Sequence, residues 1–357
     1  MIDTIYIERA VSDHPRTMGI LKRFPHAARV GCDRYGEVFN VRSQNFRIQK
    51  QKPSLILAQK HGRFVLDVPE GFGIGANRNY YFSHMLNCVY DCRYCFLQGL
   101  YQSAHYVLFV NYEDFADSIV ECAEQCAEQC AGDEVHFFSG YDCDSLALDS
   151  VTQFADFILP TFQRLENAWL ELRTKSIQTR ALESREAMPR VVVAFSLTPD
   201  HVSRSTEHGV PRLEQRLAIM TKLAENGWNI GLRLDPLLHF EGWLPAYRSL
   251  VDQLFAALDV ESIHSVSLGS LRFPKAVHDR IVKLYPDESL LASPMELKEG
   301  VKSYPRAVQL EMTQKCHELL QTRINADRIF CCQGDLSSQG GTLKSGGPVQ
   351  SGGPVQS

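Results

Sequence analysis

The sequence predicts an α/β protein whose body is an open, TIM-like partial (β/α)6 barrel with N-terminal and C-terminal extensions. Three observations carry this. Six short apolar or alternating runs recur from residue 80 onward. Longer stretches of helical periodicity separate them. The first run leads directly into a cysteine-rich loop. Strand runs alternating with helices fold as a parallel sheet with crossovers, and in barrel-like sheets chemistry gathers at the C-terminal strand ends.

The strands fall at residues 80–84, 135–139, 169–172, 191–195, 229–234 and 265–268, each a short apolar or alternating run. Helical patterns fall between them at 151–164, 212–225 and 244–258. Residues 1–79 form a basic N-terminal subdomain, 80–290 the barrel, and 291–333 a C-terminal extension with a helix over 307–323. The Gly/Ser/Pro repeat over 334–357 cannot bury a core and is expected to be a disordered tail.

Composition narrows the class. The chain has 357 residues, 44% hydrophobic and 22% charged, which is ordinary for a globular protein. No apolar run reaches the ~18 residues of a membrane span, and the first residues lack a signal-peptide pattern. A cytoplasmic protein without membrane contact is expected. Its eleven cysteines then imply metal or redox roles rather than a disulfide frame. Net charge is −5, yet residues 11–64 carry eleven Lys/Arg against three Asp/Glu, a stretch suited to an anionic partner.

The chemistry concentrates in Asn87-Cys88-Val89-Tyr90-Asp91-Cys92-Arg93-Tyr94-Cys95-Phe96. Cys88, Cys92 and Cys95, spaced Cys-x3-Cys-x2-Cys, suit three irons of a [4Fe–4S] cluster and leave the fourth open to a small molecule. A zinc site asks for four ligands, usually as paired Cys-x2-Cys units, and no second pair is present. Cys122, Cys126 and Cys130 recur every four residues and read as one stripe of a helix, without an assigned role. Cys331 and Cys332 carry no pairing signature.

The cysteine loop, with aromatics flanking Cys95, resembles that of the radical S-adenosylmethionine (SAM) enzymes, in which SAM chelates the open iron. More specifically, residues 1–333 resemble the spore photoproduct lyase family. The likeness rests on the loop running into Phe96-Leu97-Gln98, on Val110-Asn111-Tyr112-Glu113-Asp114, and on Asp144-Ser145-Leu146-Ala147-Leu148-Asp149. Phe195-Ser196, His239-x-Glu241-Gly242-Trp243 and Arg272-Phe273-x-Lys275 extend it. The resemblance implies a radical SAM carbon–carbon lyase that repairs a methylene-bridged thymine dimer in ultraviolet-damaged double-stranded DNA. There a 5′-deoxyadenosyl radical takes a hydrogen atom from the lesion, a cysteine returns one, and a tyrosine pair relays it. The implied cofactors are the [4Fe–4S] cluster and SAM, and the implied partner besides DNA is an external electron donor such as flavodoxin or ferredoxin. The likeness nominates Ser139, Gly140, Lys175, Ser176 and Ser196 for SAM.

Two departures stand out. The hydrogen-donor position holds Tyr141, and the nearest thiol is Cys143. The relay pair maps to Tyr94 and Phe96, so one phenol is missing. Cys143 is the preferred donor on chemical grounds, because a thiol passes hydrogen to a carbon radical faster than a phenol. The family's lesion-wedging Arg-Tyr hairpin has no clean counterpart, Tyr304 being the nearest residue. These departures also suit a diverged enzyme acting on another photolesion or another substrate.

Overall fold

A computed structural model describes residues 2–69, 73–76, 78–129 and 133–332. Cys130 and the repeat over 334–357 lie outside the described residues. In chain order the strands are β1 (Thr4–Glu8), β2 (Ala28–Cys32), β3 (Leu55–Ala58), β4 (Leu66–Asp67), β5 (Arg78–Phe82) and β6 (Met85–Leu86). Then come β7 (Asp91–Cys92), β8 (Tyr106–Phe109), β9 (Val135–Ser139), β10 (Ala168–Thr174), β11 (Val191–Ser196) and β12 (Glu207–His208). The last six are β13 (Asn229–Leu237), β14 (Ile263–Ser270), β15 (Arg272–Pro274), β16 (Glu296–Lys298), β17 (Val301–Ser303) and β18 (Ile329–Cys331).

The main sheet has the order β18-β14-β13-β11-β10-β9-β5-β4. All its pairings are parallel except β4 on β5. All six strands expected from the sequence are present, in the expected order. Each has one face against crossover helices, so Phe137, Leu170, Val193, Leu232 and Val266 are fully buried. The helical pattern over 151–164 breaks at Gln153, whose φ of +52° separates helix Asp149–Thr152 from Phe154–Gln163.

Two of the expected boundaries are corrected. The C-terminal extension returns a strand to the barrel, because β18 pairs with β14 through Ile329, Phe330 and Cys331. Three residues are too short to show a period. The N-terminal subdomain also reaches past residue 79. Its sheet, β2-β1-β3-β8-β6, recruits β6 and β8 from either side of the cysteine loop. Leu55–Ala58 and Val107–Leu108 are fully buried, which explains the recruitment: β3 needs an apolar neighbour on its open side.

The barrel's interior is charged where an ordinary barrel is apolar. Glu171 of β10 accepts from Arg233 of β13 through Nε at 3.1 Å and Nη2 at 2.7 Å. Arg173 Nε donates to the same carboxylate at 3.0 Å. Gly231 makes room for this ladder, since a Cβ there would meet Arg233 Nη2 at 2.8 Å. Among the described residues no helix is long and apolar enough to cross a membrane.

Candidate active site

The cysteine loop leaves β5 and β6 at the C-terminal end of the barrel. Asn87 begins it in a left-handed conformation, φ +67°, and its side chain donates to the carbonyls of Ser103 and His105, both at 2.7 Å. β7, inside the loop, pairs antiparallel with β12, aligning Cys92 with Glu207. Lys50, from the basic N-terminal stretch, donates to the carbonyls of Cys88 at 2.7 Å and Tyr90 at 3.0 Å. The loop is therefore clamped from the N-terminal subdomain by Lys50 and from the barrel by β12.

Burial pushes the Cys88 thiol up to about 12, and pushes those of Cys92 and Cys95 up as well. The ammonium groups of Lys50 and Lys175 pull in the opposite direction, Lys50 at Cys88 and Cys95, Lys175 at Cys92 and Cys95. Thiols that are partly or fully buried and flanked by lysines suit thiolates that gain a strong positive partner. Among the described residues no three Cys, His, Asp or Glu side chains are grouped tightly enough for a single metal ion. Three thiols on one loop suit three irons of a four-iron cluster.

Behind the loop lies a charged network that the sequence did not reveal. Glu207, fully buried, accepts from the Tyr94 phenol, from Thr198 Oγ1 at 2.7 Å, from Ser203 Oγ and from Arg216 Nη2 at 3.1 Å. Lys175 Nζ stands 3.2 Å from the same carboxylate and 5.5 Å from the centre of the Tyr94 ring. Burial pushes the Glu207 carboxyl up, but Lys175 and Arg216 outweigh it and hold the group at about 2. A two-residue strand carries no readable pattern, so Glu207 had no signal to find it by.

The residues nominated for SAM gather on neighbouring strand ends. Ser139 ends β9, and its buried hydroxyl has no hydrogen-bond partner within the protein. Gly140 follows with φ +89°, where a Cβ would meet Ser145 Oγ at 2.5 Å and the Arg173 carbonyl at 2.9 Å. Asp144 ties this turn to β10, accepting from Thr174 Oγ1 and the Lys175 amide, both at 2.6 Å. Ser176 is taken up differently: it hydrogen-bonds the Tyr90 phenol of the cysteine loop, and its Oγ accepts from the Gln178 amide at 3.0 Å. Ser196, half-buried at the end of β11, presents its carbonyl to Arg216 at 2.8 Å. An orphaned hydroxyl, a turn closed to any side chain and an ammonium group beside the thiols fit a small zwitterionic ligand.

The residues nominated for radical quenching are separated. Tyr141 is 36% exposed at the barrel mouth. It packs on Tyr81, with ring centres 4.4 Å apart, and on Phe96 at 5.6 Å. Cys143 is 6% exposed. Burial pushes its thiol well up, with the charges of Cys88 and Asp142 adding to the shift. Tyr94 faces the Glu207 network, so the structure brings Tyr141 together with Phe96 and not with Tyr94. Tyr304 is also placed differently from the expectation. It is 1% exposed and accepts from the His239 amide at 3.1 Å, which is no position for a wedge. The exposed hairpin is β16–β17, turning through Glu299 and Gly300 at φ +49° and +80° and carrying Leu297 at 53% exposure.

Among curated proteins, spore photoproduct lyase of Bacillus subtilis (strain 168) is 27% identical over 220 residues, 61% of this chain and 62% of that protein. The enzyme of Geobacillus sp. (strain Y412MC61) is 23% identical over the same shares. The matched region thus spans under two thirds of these relatives' length. A solved spore photoproduct lyase with AdoMet and a dinucleoside spore photoproduct bound superposes with a TM-score of 0.77 at 18% identity. That superposition covers 93% of this chain and 98% of the other, and it shows the shared fold. The family model for spore photoproduct lyase matches residues 76–327, from the approach to β5 to the turn before β18. That stretch holds the cysteine loop and six of the barrel's seven parallel strands, and the chain belongs to the spore photoproduct lyase family.

Proposed function

We propose that this protein is a radical SAM lyase that repairs a thymine photoproduct in ultraviolet-damaged DNA. The observation that carries the reading is the three-cysteine loop clamped at the barrel mouth, with Ser139, Gly140, Lys175 and Ser196 on adjoining strand ends. Cys88, Cys92 and Cys95 would hold a [4Fe–4S] cluster. When bound, the cluster and SAM, with an electron from a flavodoxin- or ferredoxin-like donor, supply a 5′-deoxyadenosyl radical.

The chain's own residues bind, orient and shield. Lys175 and Lys50 balance the thiolates. Ser139, Gly140 and Ser196 orient the amine and ribose of SAM, and Asp144 fixes the turn that carries the first two. Tyr81, Phe96 and Tyr141 form an aromatic wall at the mouth, against which a base swung out of the duplex can stack. Unstacking costs a few kcal/mol, least at a distorted lesion. We take Tyr141 rather than Cys143 as the hydrogen donor, because it is 36% exposed at that wall while Cys143 is 6% exposed. Tyr94, bonded to Glu207, acts as a positioning residue for β7 and Cys92. A second reading, a relative acting on a different photolesion or substrate, is favoured by the phenol standing where the family has a thiol.

The test is anaerobic incubation of reconstituted protein with SAM, dithionite and ultraviolet-irradiated oligonucleotides, read by mass spectrometry. Restored thymine together with 5′-deoxyadenosine is expected, with about four irons per chain. Replacing Cys92 by alanine should remove both the iron and the SAM cleavage. SAM cleavage without thymine restoration from any irradiated oligonucleotide would overturn the repair reading and leave the second.

A further inference from the structure

The N-terminal sheet carries a crevice that the radical chemistry does not use. Its chain runs through β1, adds β2 on one side, then crosses to add β3 on the other. All these pairings are parallel. In open parallel sheets such a reversal leaves a crevice outside the C-terminal strand ends, where ligands bind. Here the crevice has a volume of about 380 Å³ and is lined by Glu8, Arg9, Ala10, Asp33, Arg34 and His61. That is at the small end of the ~300–1,000 Å³ typical of ligand sites.

Glu8, the last residue of β1, is fully buried. Its Oε2 accepts from the Gln59 amide at 3.0 Å, but its Oε1 has no hydrogen-bond partner. Arg34 Nη1 stands 3.6 Å from that oxygen, beyond hydrogen-bonding distance. A buried carboxylate oxygen without a donor is costly, and native structures rarely leave one so. The crevice rim carries the complementary charge in Arg9 and Arg34, with the His61 imidazole beside them.

We propose that this crevice binds the ribose phosphate of a free ribonucleotide. The vicinal hydroxyls donate to Glu8 and the phosphate sits among Arg9, Arg34 and His61. A carboxylate with one oxygen unengaged accepts a diol. A 2′-deoxy sugar offers one hydroxyl fewer and leaves the oxygen partly unsatisfied.

Equilibrium dialysis of the full chain, saturated with SAM so that the barrel site is filled, tests this with labelled AMP. One AMP per chain is expected, displaced by ribose 5-phosphate. 2-Deoxyribose 5-phosphate should displace it about tenfold less well, the scale of one lost hydrogen bond to a charged group. Glu8→Gln, and separately the exposed Arg34→Ala, should each weaken AMP by about tenfold or more. Formation of 5′-deoxyadenosine, measured on the same samples, should not change. It reports the radical chemistry separately, so failure of one reading is distinguishable from failure of the other. No saturable binding, equal displacement by the deoxy sugar or by inorganic phosphate, or unchanged affinity in both variants would overturn the proposal.

Discussion

At the scale of single residues, the two nominated hydrogen donors are separated by exposure rather than by chemistry. A thiol is the better donor, but Cys143 is buried against the Met85 amide, whereas Tyr141 stands in the mouth beside Phe96. Tyr141→Phe should therefore leave SAM cleavage near the wild-type rate and let abnormal lesion products accumulate. Cys143→Ala should leave the product profile intact and lower stability by ~1 kcal/mol, the usual cost of a small buried truncation. Mass spectrometry of the products and urea unfolding separate the two. Clean product from Tyr141→Phe with abnormal product from Cys143→Ala would restore the thiol as donor. The sequence alone favoured the thiol because it reports residue types and not which side of a turn they face.

At the scale of elements, the turn after β9 and the ladder inside the barrel set how firmly the site is held. Gly140→Ala would place a methyl 2.5 Å from Ser145 Oγ at φ +89°. Strain of this kind costs ~1–3 kcal/mol, and the turn also carries Ser139. SAM affinity should fall by about tenfold or more, read by isothermal calorimetry on reconstituted protein; unchanged affinity would remove this turn from the SAM site. The ladder makes a pH prediction. Burial pushes the Glu171 carboxyl up, but Arg233 and Arg173 outweigh it and hold the group at about 2. A depressed carboxyl contributes stability that is complete above its unfolded value of ~4.3 and is lost as pH falls towards 2. Glu171→Gln should cost ~3–5 kcal/mol near neutrality, because Arg233 is left unpaired. Its urea midpoint should vary less with pH between about 4.3 and 2 than that of the wild type; equal dependence would show that the ladder does not hold the barrel. The six barrel strands were legible because each is a short apolar or alternating run set off by helical patterns. β18, β7 and β12 were not, since two or three residues carry no period and are defined only by the strand they meet. The cysteine triplet was legible from spacing alone, but its clamps, Lys50 and Glu207, come from distant segments.

At the scale of the whole molecule, the basic stretch over residues 11–64 is only partly a surface for an anion. Arg16 is bound to Glu113 at 2.6 Å and Lys52 to Asp3 at 2.7 Å. Arg23 donates to the Ser150 carbonyl, and Lys50 clamps the cysteine loop. A count of charges could not distinguish cations engaged within the molecule from cations that face outward. Arg42 and Arg47 are among the exposed ones, and Arg47 lies 5.8 Å from the centre of the Tyr285 ring, which Arg93 approaches to 4.0 Å. If this face tracks a DNA backbone, each arginine neutralises one phosphate and releases its counterion. Losing two such contacts should lower the slope of log affinity against log salt by ~2. Arg42→Glu with Arg47→Glu should show that change by fluorescence anisotropy on a duplex, with SAM cleavage in the absence of DNA unaltered. Lys50→Glu should behave in the opposite way: it removes the donor to the Cys88 and Tyr90 carbonyls and sets a carboxylate beside the thiols. Iron content and SAM cleavage should fall together in that variant, while the salt slope changes by no more than ~1. An unchanged slope in the double arginine variant would take the DNA contact away from this segment and assign its charge to holding the molecule together.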